Sequence, residues 1–138
     1  MKQNKRESIR GAVLLLVGML AMPITTLAGN DSSIKGDLRT NIKASMQQYI
    51  KSQTINGEMY LYDPLDNRLL KLKLDNLHDG IVKKGDYYVS CADFVDQKNR
   101  EIDIDFMVRD NAEHLMTMQA IVHAVDGSKR KYQLEELD

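Results

Sequence analysis

The spacing of the apolar residues changes once along this chain, at Gly57. After Gly57, apolar and polar residues alternate, as in strands with one buried face. Before it, the apolar residues recur at intervals of three and four, which is typical of an amphipathic helix; they are Ile34, Leu38, Ile42, Met46, Tyr49 and Ile50. Because a helical pattern does not fit a strand, the change predicts one helix over about residues 35–53 and a β-rich remainder.

The remainder divides into alternating segments that are separated by turn residues. Pro64 and the run DGS predict turns, and HDGIVKKGD, with Gly80 and Gly85, is predicted to be a loop. Met116 and Met118 are expected to face the core. Strands are predicted for EMYLYD, RLLKLKLDNL, YYVSCADFV, EIDIDFMVR, HLMTMQAIVHAV and a short charged KRKYQLEEL.

These elements predict an α+β fold in which one long N-terminal helix packs on a curled antiparallel sheet of five or six strands. A sheet with one apolar face and a single helix to cover it is expected to curl around that helix. The order of elements resembles the cystatin-like arrangement, with the cone-shaped nuclear-transport-factor-like fold as the neighbouring alternative. The Gln-Val-Val-Ala-Gly type of loop found in true cystatins is absent from the sequence, so the resemblance does not imply protease inhibition.

A second resemblance is local. The run LHDGIVKKGDYYVSCADFVD, followed by EIDIDF, is similar to small exported bacterial proteins that have a His, a Cys and an Asp-Phe pair at similar places. It implies no functional residue that can be carried over to this chain.

Residues 1–28 have the three parts of a secretory signal peptide. A basic head, MKQNKRESIR, precedes the apolar run GAVLLLVGMLAM and a small-residue end. We expect cleavage after Ala28 and a protein that is periplasmic or secreted. Asn30 stands where a lipidated cysteine would be required, so no acyl anchor is expected. The alternative is an uncleaved anchor, because residues 11–28 just reach the roughly 18 residues that span a membrane.

Cleavage would leave 110 of the 138 residues, which is one domain's worth. Residues 29–34 are expected to be a flexible mature N-terminus, and residues 35–138 a single domain. The leader holds four of the 19 basic residues and one of the 20 acidic ones. The rest is therefore acidic and has no basic block, which argues against binding to nucleic acid or an anionic membrane surface.

The only cysteine, Cys91, lies between acidic residues in the segments YYVSCADFV and EIDIDFMVR. Two hairpin registers are open. Pairing Val95 with Ile102 would drive Asp93 into the apolar face, where an unpaired carboxylate is costly. Pairing Phe94 with Ile102 keeps that face apolar, so we predict the second register, since a slip of one residue exchanges the faces.

The chosen register places Cys91 beside Asp105, and Asp93 beside Asp103, on the outer face. Directly opposed carboxylates repel, and water, a basic side chain such as Arg109 or Lys98, or a bound cation would relieve the repulsion. The candidate metal ligands are therefore Cys91, Asp93, Asp103, Asp105 and a histidine. His78 is the first candidate for that histidine, and the other two histidines of the chain are His114 and His123. The competing interpretation is a solvated acidic face with an inert thiol, because no motif such as CxxC fixes the ligand spacing.

The leading functional prediction is an exported, non-enzymatic domain that binds a partner protein or a small ligand. Tyr87, Val89 and Met107 share the outer face and are predicted to form an exposed apolar strip, which suggests a partner surface or a homodimer seam. The alternative is a metal-binding or cysteine-dependent site centred on Cys91. No catalytic residue and no cofactor is predicted, since oxyanion donors and an acid–base pair cannot be named.

The predicted core cluster lies between helix and sheet. It comprises Leu38, Ile42, Met46, Phe94, Ile104, Phe106, Met118 and Val122.

Overall fold

A computed structural model describes residues 29–131 and residue 134. The fold is α+β, with one helix and a seven-stranded antiparallel sheet among these residues. The predicted signal peptide, residues 1–28, lies outside the described residues. The elements are α1 (Gly36–Ser52), β1 (Thr54–Ile55), β2 (Glu58–Asp63), β3 (Arg68–Lys84), β4 (Tyr87–Asp96), β5 (Glu101–Asp110), β6 (Leu115–Val125) and β7 (Ser128–Lys129).

The strands form a meander in which each strand pairs with the next in sequence. The sheet has seven strands rather than five or six, because β1 and β7 are two-residue edge strands. The last predicted strand, KRKYQLEEL, is confirmed only at its first residue, since β7 ends at Lys129 and the described residues after it are not in a strand. Arg130 then bonds to Asp63 (Nη2 to Oδ2, 2.8 Å) and to Asp66 (2.9 Å) at the other end of the sheet. This contact requires the sheet to bend around the core.

The segment HDGIVKKGD is not a loop, as predicted, but lies mostly within β3, which is 17 residues long. Pairing with β4 continues on both sides of Gly80, at Leu77 and at Ile81, and residues 78–80 form a bulge between these two pairs. A bulge places extra residues in one strand without ending its pairing. Gly80 therefore marks an irregularity in a strand and not its end.

The core fills the space between α1 and one face of the sheet. The helix contributes Ile42, Met46 and Ile50, one per turn, as its spacing predicts. Phe106 lies at the centre, with its ring 6.0 Å from that of Tyr49 and 6.4 Å from that of Phe94. The other large core side chains include Met59, Leu70, Leu72, Ile81, Ile102, Ile104 and Val108.

Three residues that were expected to face the core are exposed instead. Met118 is 51% exposed, Met116 is 40% exposed and Leu38 is 36% exposed. In β6 the pairs Met107–Gln119 and Val108–Thr117 leave Met118 as an extra, bulged residue. The bulge turns Thr117 inward, where its hydroxyl lies 2.9 Å from that of Ser45 on the helix.

The segment before the helix makes defined contacts with β3. The backbone N–H of Asp31 donates to the carbonyl of Ile81 (2.7 Å), and Ile34 is buried in the core cluster. The Arg39 guanidinium donates to the side chain of Asn30 and to the carbonyl of Asp79. These contacts join residues 29–34, which were expected to be flexible, to the middle of β3.

Candidate metal centre on the outer face of the sheet

The predicted hairpin register is the observed one. Phe94 pairs with Ile102 and Ala92 with Ile104, so these side chains lie in the core. The residues between them point to the other side, which we call the outer face. On it Cys91 stands opposite Asp105, and Asp93 opposite Asp103.

The bulge in β3 brings His78 to this face. Leu77 pairs with Ala92 and Ile81 pairs with Ser90, so residues 78–80 together stand opposite Cys91. The Nδ1 atom of His78 lies 3.2 Å from Cys91 Sγ, and its Nε2 lies 2.6 Å from Asp93 Oδ2. The sequence named His78 as a candidate but placed it in a loop. A glycine inside an alternating pattern is a signal for a bulge, and it could have indicated this placement.

A second bulge, in β6, brings in His123. Asp103 pairs with Ala124 and Ile104 with Val122, so His123 is the extra residue. Its Nδ1 lies 2.9 Å from Asp105 Oδ2. The hydrogen bond to Asp105 raises the pKa of His123, and burial opposes that rise. Four neighbouring strands, β3 to β6, thus contribute ionisable side chains to one cluster.

The centre of the cluster has the ligand types of a metal site. One ligand atom each from Cys91, Asp103 and Asp105 can be chosen so that all three lie within 4.8 Å of one another. Asp93, which the sequence included, does not belong to this set; it lies next to it, in contact with His78. His114 lies elsewhere, in the turn before β6, where it contacts Asn111.

At the centre, Asp105 and Cys91 are removed from water and Asp103 is half-buried. Asp105 is 0% exposed and Cys91 is 3% exposed. The Oδ1 atoms of Asp103 and Asp105 are buried and have no hydrogen-bond partner within the described part of the chain. A buried carboxylate oxygen without a partner is costly, so these two oxygens face a place where a positive charge would be stabilised.

The pKa of Asp103 also indicates that the negative charge of the cluster is not fully compensated. Burial raises its pKa to about 6. The nearby charges of Asp105 and Asp93 also raise it, while those of His123 and His78 lower it. The two histidines therefore compensate the carboxylates only in part.

The predicted apolar strip is not exposed as expected. Val89 is 1% exposed, and the Tyr87 hydroxyl donates to the carbonyl of Leu134 (3.1 Å), which is itself buried. The chain beyond β7 thus returns to the outer face near this strip. A partner surface formed by Tyr87, Val89 and Met107 stays a prediction, but the exposure of Val89 was wrong.

A cavity of about 450 Å³ lies where β2 and β6 approach each other near the end of α1. The sequence did not predict it, because it depends on how far the sheet bends. Its lining is mostly apolar and aromatic and includes Tyr49, Tyr60, Tyr62, Leu65, Gln119 and Ile121.

The comparisons with protein-family models, curated proteins and solved structures found no match to this chain. No helix within residues 29–131 is long and apolar enough to cross a membrane.

Proposed function

We propose that this protein is a non-enzymatic binding domain whose ligand is a divalent metal ion, held on the outer face by Cys91, Asp103 and Asp105. The observation that supports this most directly is Asp105. Its carboxylate is fully buried, its Oδ1 has no partner in the described part of the chain, and it stands opposite a cysteine. An ion bound there would stabilise the thiolate and neutralise the carboxylates at the same time.

The alternative is cysteine-dependent chemistry. It is favoured by the order of Cys91, His78 and Asp93, in which the sulfur lies 3.2 Å from Nδ1 and a carboxylate lies 2.6 Å from Nε2. A nucleophile, a base and a group that orients the base have this arrangement. A cysteine that is 3% exposed is poorly placed to attack a substrate, which favours the metal-binding proposal.

The setting of this function is also a proposal. The basic head, apolar run and small-residue end of residues 1–28 support export to the periplasm or beyond. The order of helix and meander supports a cystatin-like arrangement. N-terminal sequencing of the protein from the envelope fraction should give a start at or near Gly29, and an intact Met1 in membranes would contradict the proposed cleavage.

The metal-binding proposal is tested by elemental analysis of purified protein and by titration of chelator-treated protein with Zn²⁺, Co²⁺ and Mg²⁺. We expect one Zn²⁺ or Co²⁺ per chain. Asp105→Asn and Cys91→Ser should each weaken binding strongly, whereas Asp75→Asn, on the exposed part of β3, should not. Absence of stoichiometric binding by the wild-type protein, or equal effects of Asp105→Asn and Asp75→Asn, would contradict it.

The same samples address the alternative. Rapid alkylation of the folded, metal-free protein near neutral pH, abolished in His78→Ala, would favour cysteine chemistry. Slow alkylation that zinc slows further would favour a buried metal ligand.

A further inference from the structure

The imidazole of His78 is held between a sulfur and a carboxylate. Asp93 Oδ2 lies 2.6 Å from Nε2, and Cys91 Sγ lies 3.2 Å from Nδ1. A neutral imidazole carries its proton on one nitrogen and a lone pair on the other. Since an ionised carboxylate only accepts hydrogen bonds, the contact with Asp93 favours the proton on Nε2. The lone pair of Nδ1 then faces the cluster.

We infer that His78 is the fourth ligand of the proposed metal site, through Nδ1, and that Asp93 is the residue that positions it. This inference rests on the proposed metal-binding function. Histidines that bind metals almost always donate their other N–H to a carboxylate, a backbone carbonyl or water, which fixes the tautomer and the orientation of the ring. The pair of His78 and Asp93 has this form.

The other histidine of the cluster occupies a different place. His123 contacts Asp105 through Nδ1 at 2.9 Å, so it neighbours a proposed ligand and holds that carboxylate in place. His78, in contrast, contacts the sulfur itself. Its bulged backbone, residues 78–80 opposite one residue of β4, places the ring beside Cys91 and Asp93, next to the group formed by Cys91, Asp103 and Asp105.

This ligand set defines the class of ion. One thiolate, one imidazole and two carboxylates give four protein ligands, which is the number found in closed structural zinc sites. Magnesium and calcium prefer oxygen ligands alone, and the sulfur disfavours them. Zinc, or cobalt in its place, is therefore the expected occupant, and a site closed by four side chains holds the ion without presenting it to a substrate.

Cobalt spectroscopy of the full-length protein tests this assignment. Wild-type protein with Co²⁺ should show a sulfur-to-cobalt charge-transfer band and the intense visible bands of four-coordinate cobalt. His78→Ala should keep the charge-transfer band but lose visible intensity, because more than one water can enter the space that the ring leaves and the coordination number then rises. Asp93→Asn should keep the spectrum and weaken affinity by about 10- to 100-fold, as loss of such a supporting contact does. His114→Gln is the matched control, because His114 is exposed and contacts Asn111 in the turn before β6, and it should leave the spectrum unchanged.

The possible spectra distinguish failure of the metal-binding function from failure of the assignment of His78 as a ligand. Absence of a charge-transfer band in the wild-type protein would overturn the metal-binding function and the inference with it. A band in the wild type with a visible spectrum that His78→Ala leaves unchanged would overturn only the inference. Histidine-selective NMR of the wild-type protein provides a measurement that requires no variant to fold. The Nδ1 signal of His78 should shift when Zn²⁺ is added while Nε2 keeps its proton, and an unshifted Nδ1 would also overturn the inference.

Discussion

The two faces of the β4–β5 pair are both shielded from water, but their chemistry is opposite. On the core face, Phe94, Ile104 and Phe106 are fully buried and pack on the helix and on one another. On the outer face, Cys91 and Asp105 are buried just as deeply. Neighbouring residues of one strand are thus buried to a similar extent on opposite faces of the sheet. Those on the core face are apolar, and those on the outer face are ionisable.

Burial has opposite energetic consequences on these two faces. Removing apolar surface from water stabilises the fold, whereas removing carboxylates destabilises it unless they gain partners. The histidines compensate Asp93 and one oxygen of Asp105, but the buried Oδ1 atoms of Asp103 and Asp105 gain none within the described residues. The buried carboxylates therefore destabilise the fold on the outer face, while the core face is packed for stability. A local loss of stability of this kind is expected at a functional site.

The largest effect is expected on the core face, at Phe106. Phe106→Ala should lower the free energy of unfolding by about 3–5 kcal/mol, as large truncations in a core do, because the ring packs against Tyr49 and Phe94. Urea denaturation of the purified protein measures it. Leu69→Ala is the control, because Leu69 is 58% exposed and should change stability by less than about 0.5 kcal/mol. A loss below about 1 kcal/mol for Phe106→Ala would mean that the core face is assigned to the wrong side.

A smaller effect of opposite sign is expected on the outer face, at Asp103. Burial raises the pKa of Asp103 from 3.8 to about 6. A carboxyl group whose pKa is raised by folding stabilises the protein fully below its unfolded value, and this contribution is lost as the pH rises through the folded value. In metal-free protein at neutral pH, Asp103→Asn should therefore be more stable than wild type. After allowance for partial solvent screening, the gain should be on the order of 1–2 kcal/mol.

The pH dependence separates this effect from a general one. The difference between Asp103→Asn and wild type should be smallest near pH 4 and should grow between about pH 4 and pH 6. Chemical denaturation in the presence of a chelator measures it at each pH. Saturating zinc should reverse the order of stability, because the wild type keeps a ligand that the variant has lost. A variant that is less stable than wild type at neutral pH without metal would show that the outer face carries no unrelieved charge.

The contrast between the faces was predictable from the sequence only where strict alternation holds. In β4 and β5 it holds throughout, so the energetic cost of burying Asp93 was enough to indicate the correct register. It fails at four irregularities of the register, in β3 at Asp75 and near His78, and in β6 at Met118 and His123. Each bulge changes which side the following residues face. The contact of His78 with Cys91 and the exposure of Met118 therefore depend on pairings that alternation alone does not contain.

The burial of the outer face was also beyond the sequence pattern. Alternation indicates which residues share a side, but it does not show whether another part of the chain covers that side. Val89 and Cys91 are buried on the face opposite the core, and Leu134 is buried near Tyr87. An apolar strip on the face of a sheet opposite the core is therefore equally consistent with cover by another part of the same chain and with cover by a partner.

The smallest expected effect tests the bulge in β6, where the division between inner and outer residues is least regular. Met118 was predicted to lie in the core, but it is the bulged residue and is 51% exposed. Met118→Ala should therefore change the free energy of unfolding by less than about 0.5 kcal/mol. A strand without the bulge would keep strict alternation and bury Met118 beside Ala120, and the same substitution would then cost about 2–5 kcal/mol. Thr117→Val completes the test, because the inward hydroxyl of Thr117 bonds to buried Ser45 and its loss should cost about 1–3 kcal/mol. A costly Met118→Ala together with a neutral Thr117→Val would place the methionine inside and would move the boundary between the two faces by one residue.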